Sequence, residues 1–240
     1  LSVFEPISLE QMDKVKLLNR VDTKFVVNQN RLPELLEGLN EQYYVLDIDG
    51  VRIYPYHTTY FDTEDLLAYR NHHNGKLNRY KVRLRTYMIS GQNFFEIKFK
   101  NNKRRTIKSR VTVHSGTPVI TGKAEELLLK KTPFIASDLQ PRLSVNFHRT
   151  TLVSKKLNER ITIDTGISFT RDSQQKNYNG LLIVEVKQDK SQESPILKRL
   201  HHMHVNPARL SKYCLGVLSM YEGVKYNLFK ETLLNINRIL

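Results

Sequence analysis

The sequence predicts an α+β fold: one domain over residues 1–240, built on eight or more antiparallel strands, with helices mainly at the two ends of the chain. Three observations carry this reading. Runs alternating apolar and polar residues recur between residues 20 and 188, separated by turn residues. Longer helical patterns dominate after residue 194. No internal repeat, low-complexity tract or long linker divides the chain.

The elements follow in order. Ser8 and Gln11 have capping-box spacing and open a short helix over about 9–18. "RVDTKFVV" (20–27) alternates as a strand, and "NRLPELLEGLN" (30–40) reads as a helix with Asn30 as cap and Gly38 near its end. "YYVLDI" and "VRIYPYHTTYFDT" are strands rich in Tyr, Ile and Thr that turn at Asp49-Gly50. "EDLLAYRNHH" is a short helix. Runs 79–88, 93–100 and 105–113, punctuated by Ser90-Gly91 and Asn101-Asn102, form a meander. A helix at 123–132 precedes the strands "PRLSVNFHRTTLVS", "RITIDTGISFT" and "LLIVEVKQ". Helices at 195–204, 211–222 and 227–239 complete the chain.

Composition narrows the function. The formal net charge is +14, which predicts an anionic partner: nucleic acid, an acidic membrane surface, or phosphorylated small molecules or polymers. No stretch approaches the roughly 20 apolar residues of a membrane span. The first residues are amphipathic and charged, unlike a signal peptide. Cys214 is the lone cysteine, so no internal disulfide forms, and a cytoplasmic location is expected.

The position of the charges says more than their number. "NRYKVRLRTY" puts Arg79, Lys81, Arg83 and Arg85 on one side and Tyr80, Val82 and Leu84 on the other. "RVDTK" does the same with Arg20, Asp22 and Lys24, and "FFEIKFK" with Glu96, Lys98 and Lys100. "TIKSRVTV" contributes Lys108 and Arg110, "RITID" Arg160, Thr162 and Asp164, and "IVEVK" Glu185 and Lys187. An ordinary sheet with one solvated face accounts for any single strand. Repetition over several strands, with Arg and Lys dominant, favours an inverted barrel whose apolar faces lie outward under helices and whose charged faces line a tunnel.

Crowded cations lose hydration and repel one another, so such a tunnel needs an anion, water or interleaved carboxylates. A phosphate chain suits it, because arginine forks onto phosphate oxygens and lysine adds compact charge. The carboxylates either pair with neighbouring cations or hold a divalent metal. Glu185, with Glu96 and Asp164 as helpers, is the candidate ligand set for Mg²⁺ or Mn²⁺. Lys81, Arg110 and Lys187 are secondary phosphate-binding candidates on the same faces. Cys214 and the "HHMH" cluster (201–204) are read as packing or surface residues.

"RVDTKF", "TTYFDTEDLLAY", "KVRLRTY", "FFEIKFK", "IKSR", "PRLSVNFHRTTL", "IVEVK" and "SKYCLGV" follow one another from Arg20 to about Tyr221. In this order they resemble the VTC domain, the polyphosphate polymerase domain of the vacuolar transporter chaperone type, in the triphosphate tunnel metalloenzyme (CYTH-like) superfamily. The resemblance implies an eight-stranded antiparallel β-barrel with helices packed outside and at the C-terminus. It implies transfer of the ATP γ-phosphoryl group to a growing inorganic polyphosphate chain, with Mn²⁺ or Mg²⁺ as cofactor. It further implies phosphate contacts by Lys24, Arg83, Arg85, Lys98, Lys108, Arg142, Arg149 and Lys212, and a metal-binding role for Glu185. Two positions depart from the pattern. Arg20 stands where the wider superfamily has the first glutamate of its Glu-x-Glu-x-Lys strand, and Gln140 lies near a position that is tyrosine in the eukaryotic branch.

The alternatives are a metal-dependent triphosphatase acting on inorganic or nucleoside triphosphates, and a non-catalytic polyphosphate-binding module. Nucleic acid is not expected as a partner, because a duplex cannot enter a barrel of this size. Membrane partner proteins are compatible with the resemblance.

Overall fold

A computed structural model describes residues 1–13, 20–114, 116–189, 193–209 and 211–240. Its strands are β1 (Pro6–Ile7), β2 (Arg20–Asn28), β3 (Tyr43–Leu46), β4 (Tyr54–Asp62), β5 (Arg79–Tyr87), β6 (Gln92–Lys100), β7 (Thr106–Val113), β8 (Gln140–Ser154), β9 (Glu159–Arg171), β10 (Gln174–Tyr178) and β11 (Leu181–Asp189). Its α-helices are α1 (Leu9–Asp13), α2 (Leu32–Leu36), α3 (Leu67–His73), α4 (Lys123–Lys131), α5 (Pro195–His202), α6 (Lys212–Met220) and α7 (Lys230–Ile239).

The main sheet path is β2-β11-β9-β8-β4-β5-β6-β7, eight of the strands the sequence predicts, antiparallel throughout. The expected meander is β5-β6-β7. The sheet curls on itself. Glu185 of β11 and Lys98 of β6 act on each other electrostatically although their strands are well separated in the path, and so do Lys24 of β2 and Lys100 of β6. Among the described residues β2 and β7 do not pair, so the barrel is not closed by hydrogen bonds. Instead, the free edge of β2 is met by residues 205–209. Pro207 bridges to Phe25, and the Ala208 N–H donates to the Lys24 carbonyl at 2.7 Å. An edge strand whose backbone groups are satisfied this way no longer recruits another strand.

The alternating pattern sorts onto two faces. Outward, Phe25, Val27, Val184 and Val186 pack with Leu35 of α2 and with Ile196 and Leu200 of α5. Val82, Leu84, Phe95 and Ile97 pack under Ala124 and Leu128 of α4. These helices lie outside the sheet, as expected. Helix α6 does not. Its Cys214, Leu215 and Val217 pack with Val26, Ile183, Val145, Phe147 and Phe169, on the face that elsewhere carries the ionic rows. "YCLGV" is buried at every position, so this helix needs apolar neighbours around most of its circumference. Gly216 permits the close approach: a Cβ there would lie 2.2 Å from Leu143 Cδ2 and 2.6 Å from Phe169 Cδ1. Phe229 and Ile236, before and within α7, extend the same core. The inner face is therefore part apolar and part cationic.

Local departures have local causes. The helix expected over 30–40 is broken into a 3₁₀ turn, α2 and a second 3₁₀ turn, with Pro33 in the first turn of α2 and Gly38 at φ +70 after it. Asn28 caps instead of Asn30, accepting from the Asn30 N–H at 2.8 Å. Asp49-Gly50 forms a turn with φ of 53 and 80, but only the single bridge Ile48–Val51 follows it. β3 pairs with β8 and β1 rather than with β4. The Ser8/Gln11 capping box is present, with reciprocal bonds of 3.0 and 3.2 Å, while residues 14–18 of the expected helix lie outside the described residues. β10 is an addition, a hairpin strand paired with β9 across a turn that includes Asp172 at φ +52.

Candidate functional site

The register of the curled sheet assembles the ionic rows. β5 offers Arg79, Lys81, Arg83 and Arg85, and cross-strand pairing sets Arg83 beside Glu96 and Lys81 beside Lys98. β7 adds Lys108 opposite Lys98, and Arg110 opposite Glu96. From the other side β11 sets Glu185 beside Lys24 of β2, and Lys187 beside Asp22. β8 and β9 pair Arg149 with Asp164. Lys212 enters as the first residue of α6, whose start is capped by the Ser211 hydroxyl.

Each inner carboxylate lies between two cations. Glu96 is fully buried; its Oε2 accepts from Arg83 Nε at 2.7 Å, and its Oε1 meets Lys108. Asp164 accepts from Arg149 Nε at 2.6 Å and Nη2 at 2.8 Å, and also from Lys212. Glu185 Oε1 lies 3.0 Å from Lys187 Nζ and 3.6 Å from Lys24 Nζ. Burial opposes ionisation at all three, but the cations win. Arg83, Arg85 and Lys108 hold Glu96 well below the carboxylate range, and Arg149 and Lys212 bring Asp164 down to about 2. Lys187, Lys24 and Arg149 hold Glu185 well below its ordinary value.

Other cations have no carboxylate partner among the described residues. Arg85 Nε reaches only Thr58 Oγ1, at 3.3 Å, and burial with the Arg83 and Arg149 charges brings its guanidinium down to about 10. Lys81 donates to Ser211 Oγ at 2.7 Å, and burial lowers its pKa. Lys98 makes no ion pair or hydrogen bond among the described residues; the Arg83 charge and then burial push it well below the lysine range. These groups gain the most from an incoming anion.

Two aromatic rings support the cluster. Tyr56 and Phe147 stack at 5.2 Å. The Arg85 guanidinium lies 5.3 Å from the Tyr56 centroid, and that of Arg149 lies 5.4 and 5.2 Å from the two rings. Lys212 Nζ is 4.6 Å from the Phe147 centroid. Ring quadrupoles attract cations, so this floor offsets part of the repulsion between them. In the sequence these rings are indistinguishable from packing residues. Tyr60 is a second residue the pattern does not reveal. Its hydroxyl lies 3.5 Å from Arg83 Nη1, and although burial opposes it, Arg83, Arg85 and Lys81 pull the phenol below its ordinary pKa. Arg160 lies cross-strand from Lys187 and two residues from Thr162, on the face that its alternation in "RITID" indicates.

The structure brings Lys24, Arg83, Arg85, Lys98, Lys108, Arg149 and Lys212 to one surface but leaves Arg142 apart from them. Arg142 is the extra residue of a bulge between the Tyr60–Leu143 and Phe61–Pro141 pairs. Its Nε donates to the Thr63 carbonyl at 3.3 Å, and its own carbonyl accepts from Tyr221, just past the far end of α6 from Lys212. Arg110 lies with its guanidinium 4.8 Å from the Phe94 ring. Cys214 is buried with Sγ 3.1 Å from His72 Nδ1, and His201, His202 and His204 are exposed. No three His, Cys, Asp or Glu side chains converge as a metal cage among the described residues. No helix there is long and apolar enough to cross a membrane.

A curled antiparallel sheet with a cationic inner face defines an anion-binding class of protein. A family model for the VTC domain matches residues 19–221, and the chain belongs to that family. Among solved structures, a putative adenylyl cyclase from Hippeastrum described as having a dominant triphosphatase activity aligns with a TM-score of 0.50 and 9% identity, over 85% of this chain and 98% of its own. A putative adenylate cyclase from Vibrio parahaemolyticus aligns with a TM-score of 0.48 and 12% identity, over 83% and 99%. The PH1012 protein of Pyrococcus horikoshii gives 0.46 and 14%, over 81% and 98%. No curated protein sequence matches the chain.

Proposed function

We propose that residues 1–240 act as one polyphosphate polymerase domain, transferring the γ-phosphoryl group of ATP to the end of an inorganic polyphosphate chain. The observation that carries this is a set of cations without carboxylate partners among the described residues, Arg85 buried and Lys98 and Lys81 half-buried, beside others that are paired. A terminal phosphate oxygen of the chain attacks the γ-phosphorus in line. The bond from that phosphorus to the bridging oxygen breaks, and ADP leaves. Arg83, Arg85, Lys98, Lys108, Arg149 and Lys212 position the phosphates and stabilise charge on the equatorial oxygens; no protein nucleophile is required.

Glu185 is the residue that fits a divalent cation. Its side chain is 20% exposed, against 0% for Glu96 and 1% for Asp164, whose oxygens are taken by arginine and lysine. Mg²⁺ and Mn²⁺ accept one or two carboxylates and complete their shell with water and substrate phosphates. A cation held by Glu185 would neutralise part of the phosphate charge. Glu96 and Asp164 are assigned instead as counter-charges that hold the arginines in place.

The test is incubation with ATP and Mn²⁺ and gel analysis of the product. A long phosphate chain, lost in Arg85→Ala and Glu185→Gln, is expected. Release of orthophosphate alone selects the second reading, a metal-dependent triphosphatase, for which the Hippeastrum neighbour gives a precedent on this fold. Phosphate-chain binding without turnover leaves a binding module.

A further inference from the structure

The cationic face continues beyond the paired cluster to one end of β5 and β6. From Arg85 to Arg79 the β5 wall runs six residues, about 20 Å at ~3.3 Å per residue. A triphosphate occupies only part of that length. At its end Arg79 lies opposite Lys100, and Arg79 Nη1 is held by the Lys76 carbonyl at 2.6 Å. Lys100 is lowered by burial and then by Arg79, Arg104 and Lys24, with Asp22 the carboxylate acting in the opposite sense. Arg104 belongs to the turn between β6 and β7, where Lys103, Arg104 and Arg105 are all exposed.

That turn is well built. Asn101 Oδ1 accepts from the Arg105 N–H at 2.9 Å, and the Asn101 carbonyl accepts from the Arg104 N–H at 3.1 Å. Arg104 takes φ +59, a conformation uncommon for arginine, so a defined backbone carries the three charges. None of them has an ion-pair partner among the described residues. They continue the row Lys98–Lys100 off the end of β6, coupled to it electrostatically through Arg104.

We infer that the Lys103-Arg104-Arg105 turn is an outer subsite for inorganic polyphosphate, engaging the part of a long chain that extends beyond the tunnel at the Arg79–Lys100 end. This rests on the tunnel reading above and adds chain-length discrimination to it. A short chain held at Arg85 and Lys98 does not reach the turn, whereas a long one spans both. Each turn contact also releases counterions, so it adds to the salt dependence of long-chain binding alone.

The test is titration calorimetry of the full chain with inorganic tripolyphosphate and with long-chain polyphosphate, across a series of salt concentrations. The variant is Lys103→Ser/Arg104→Asn/Arg105→Ser, with asparagine chosen because it tolerates positive φ. The control, Lys123→Ser/Lys130→Ser/Lys131→Ser, removes the same charge from exposed positions of α4. The turn variant is expected to bind long-chain polyphosphate on the order of tenfold more weakly and to lower the slope of log K against log salt by about 2, three contacts at ~0.7 each. Its tripolyphosphate affinity is expected to stay at the wild-type value. An equal loss for both ligands, a loss for neither, or the same loss in the α4 control overturns the subsite. Failure of the wild type to bind tripolyphosphate overturns the tunnel reading itself, and this inference with it.

Discussion

Replacing Asp164 by asparagine separates the two roles open to an inner carboxylate. Asp164 is buried, with one oxygen on Arg149 Nε at 2.6 Å and the other shared by Arg149 Nη2 at 2.8 Å and Lys212. Asparagine keeps the shape and one acceptor but leaves both cations uncompensated. Breaking a buried pair this way costs about 3–5 kcal/mol. The Arg149 and Lys212 side chains retain 16% and 13% exposure, and Phe147 faces both, so about 2–4 kcal/mol is the expected loss. For a chain of this length that lowers the melting temperature by about 5–15 °C. The freed cations then bind anion more tightly, so added tripolyphosphate is expected to raise the variant's melting temperature more than the wild type's. Differential scanning calorimetry with and without tripolyphosphate measures both effects. A variant that is destabilised but gains no extra ligand stabilisation would refute the counter-charge assignment. Weaker tripolyphosphate binding that appears only with Mn²⁺ present would point to metal ligation instead.

Lys98 is held below the ordinary lysine pKa by Arg83 and by burial, so an anion that restores its charge takes up a proton on binding. Tripolyphosphate affinity is therefore expected to fall as pH rises through a titration below the normal lysine range, and Lys98→Arg is expected to flatten that profile; isothermal titration across pH checks it. By the same sign, the free protein gains stability from Lys98 as pH rises from the depressed folded pKa toward the unfolded value. Gly216→Ala places a methyl within 2.2 Å of Leu143 Cδ2 and 2.6 Å of Phe169 Cδ1 and is expected to cost about 1–3 kcal/mol, or more if α6 shifts, measured by urea denaturation. Glu185→Gln is expected to abolish the Mn²⁺ dependence of phosphate-chain binding while leaving metal-free binding equal or tighter, because it also frees Lys24 and Lys187; calorimetry with and without Mn²⁺ distinguishes these.

The legible part of this site is the part encoded by period two. Lys24, Arg83, Lys98, Lys108 and Glu185 sit on regular strands, where parity alone fixes the face, and the register of β5, β6 and β7 follows from short turns. Parity fails at a bulge. Arg142 is the unpaired residue between Tyr60–Leu143 and Phe61–Pro141, so counting alternate residues along "PRLSVNFHR" does not tell which way it points. The interior position of α6 was equally hidden: "KYCLGVLSM" reads as an apolar helix wherever it sits, and only the space at Gly216 against Leu143 and Phe169 reveals its seat. The aromatic floor escaped for a third reason. Tyr56 and Phe147 act through ring faces turned toward Arg85 and Arg149, which sequence spacing does not encode.

The distribution of compensation, more than the number of cations, locates the anion. Arg83, Arg149 and Lys212 each have a carboxylate within ion-pair reach, and Arg149 and Lys212 also lie against Phe147. Their charge is largely satisfied before any ligand arrives, which suits groups that must hold fixed positions. Arg85, Lys98 and Lys81 have no carboxylate within ion-pair reach among the described residues; burial lowers the pKa of Arg85 and Lys81, and the Arg83 charge followed by burial lowers that of Lys98. A phosphate chain placed against the paired set would compete with Glu96 and Asp164, while against the unpaired set it meets no carboxylate partner. The favourable path therefore runs along Arg85, Lys98 and Lys81, with the paired arginines bordering it. Glu185 interacts electrostatically with Lys98 across the curl of the sheet, so it adjoins this path and is the carboxylate there with solvent access. A divalent ion at Glu185 would offset the repulsion between that carboxylate and the chain.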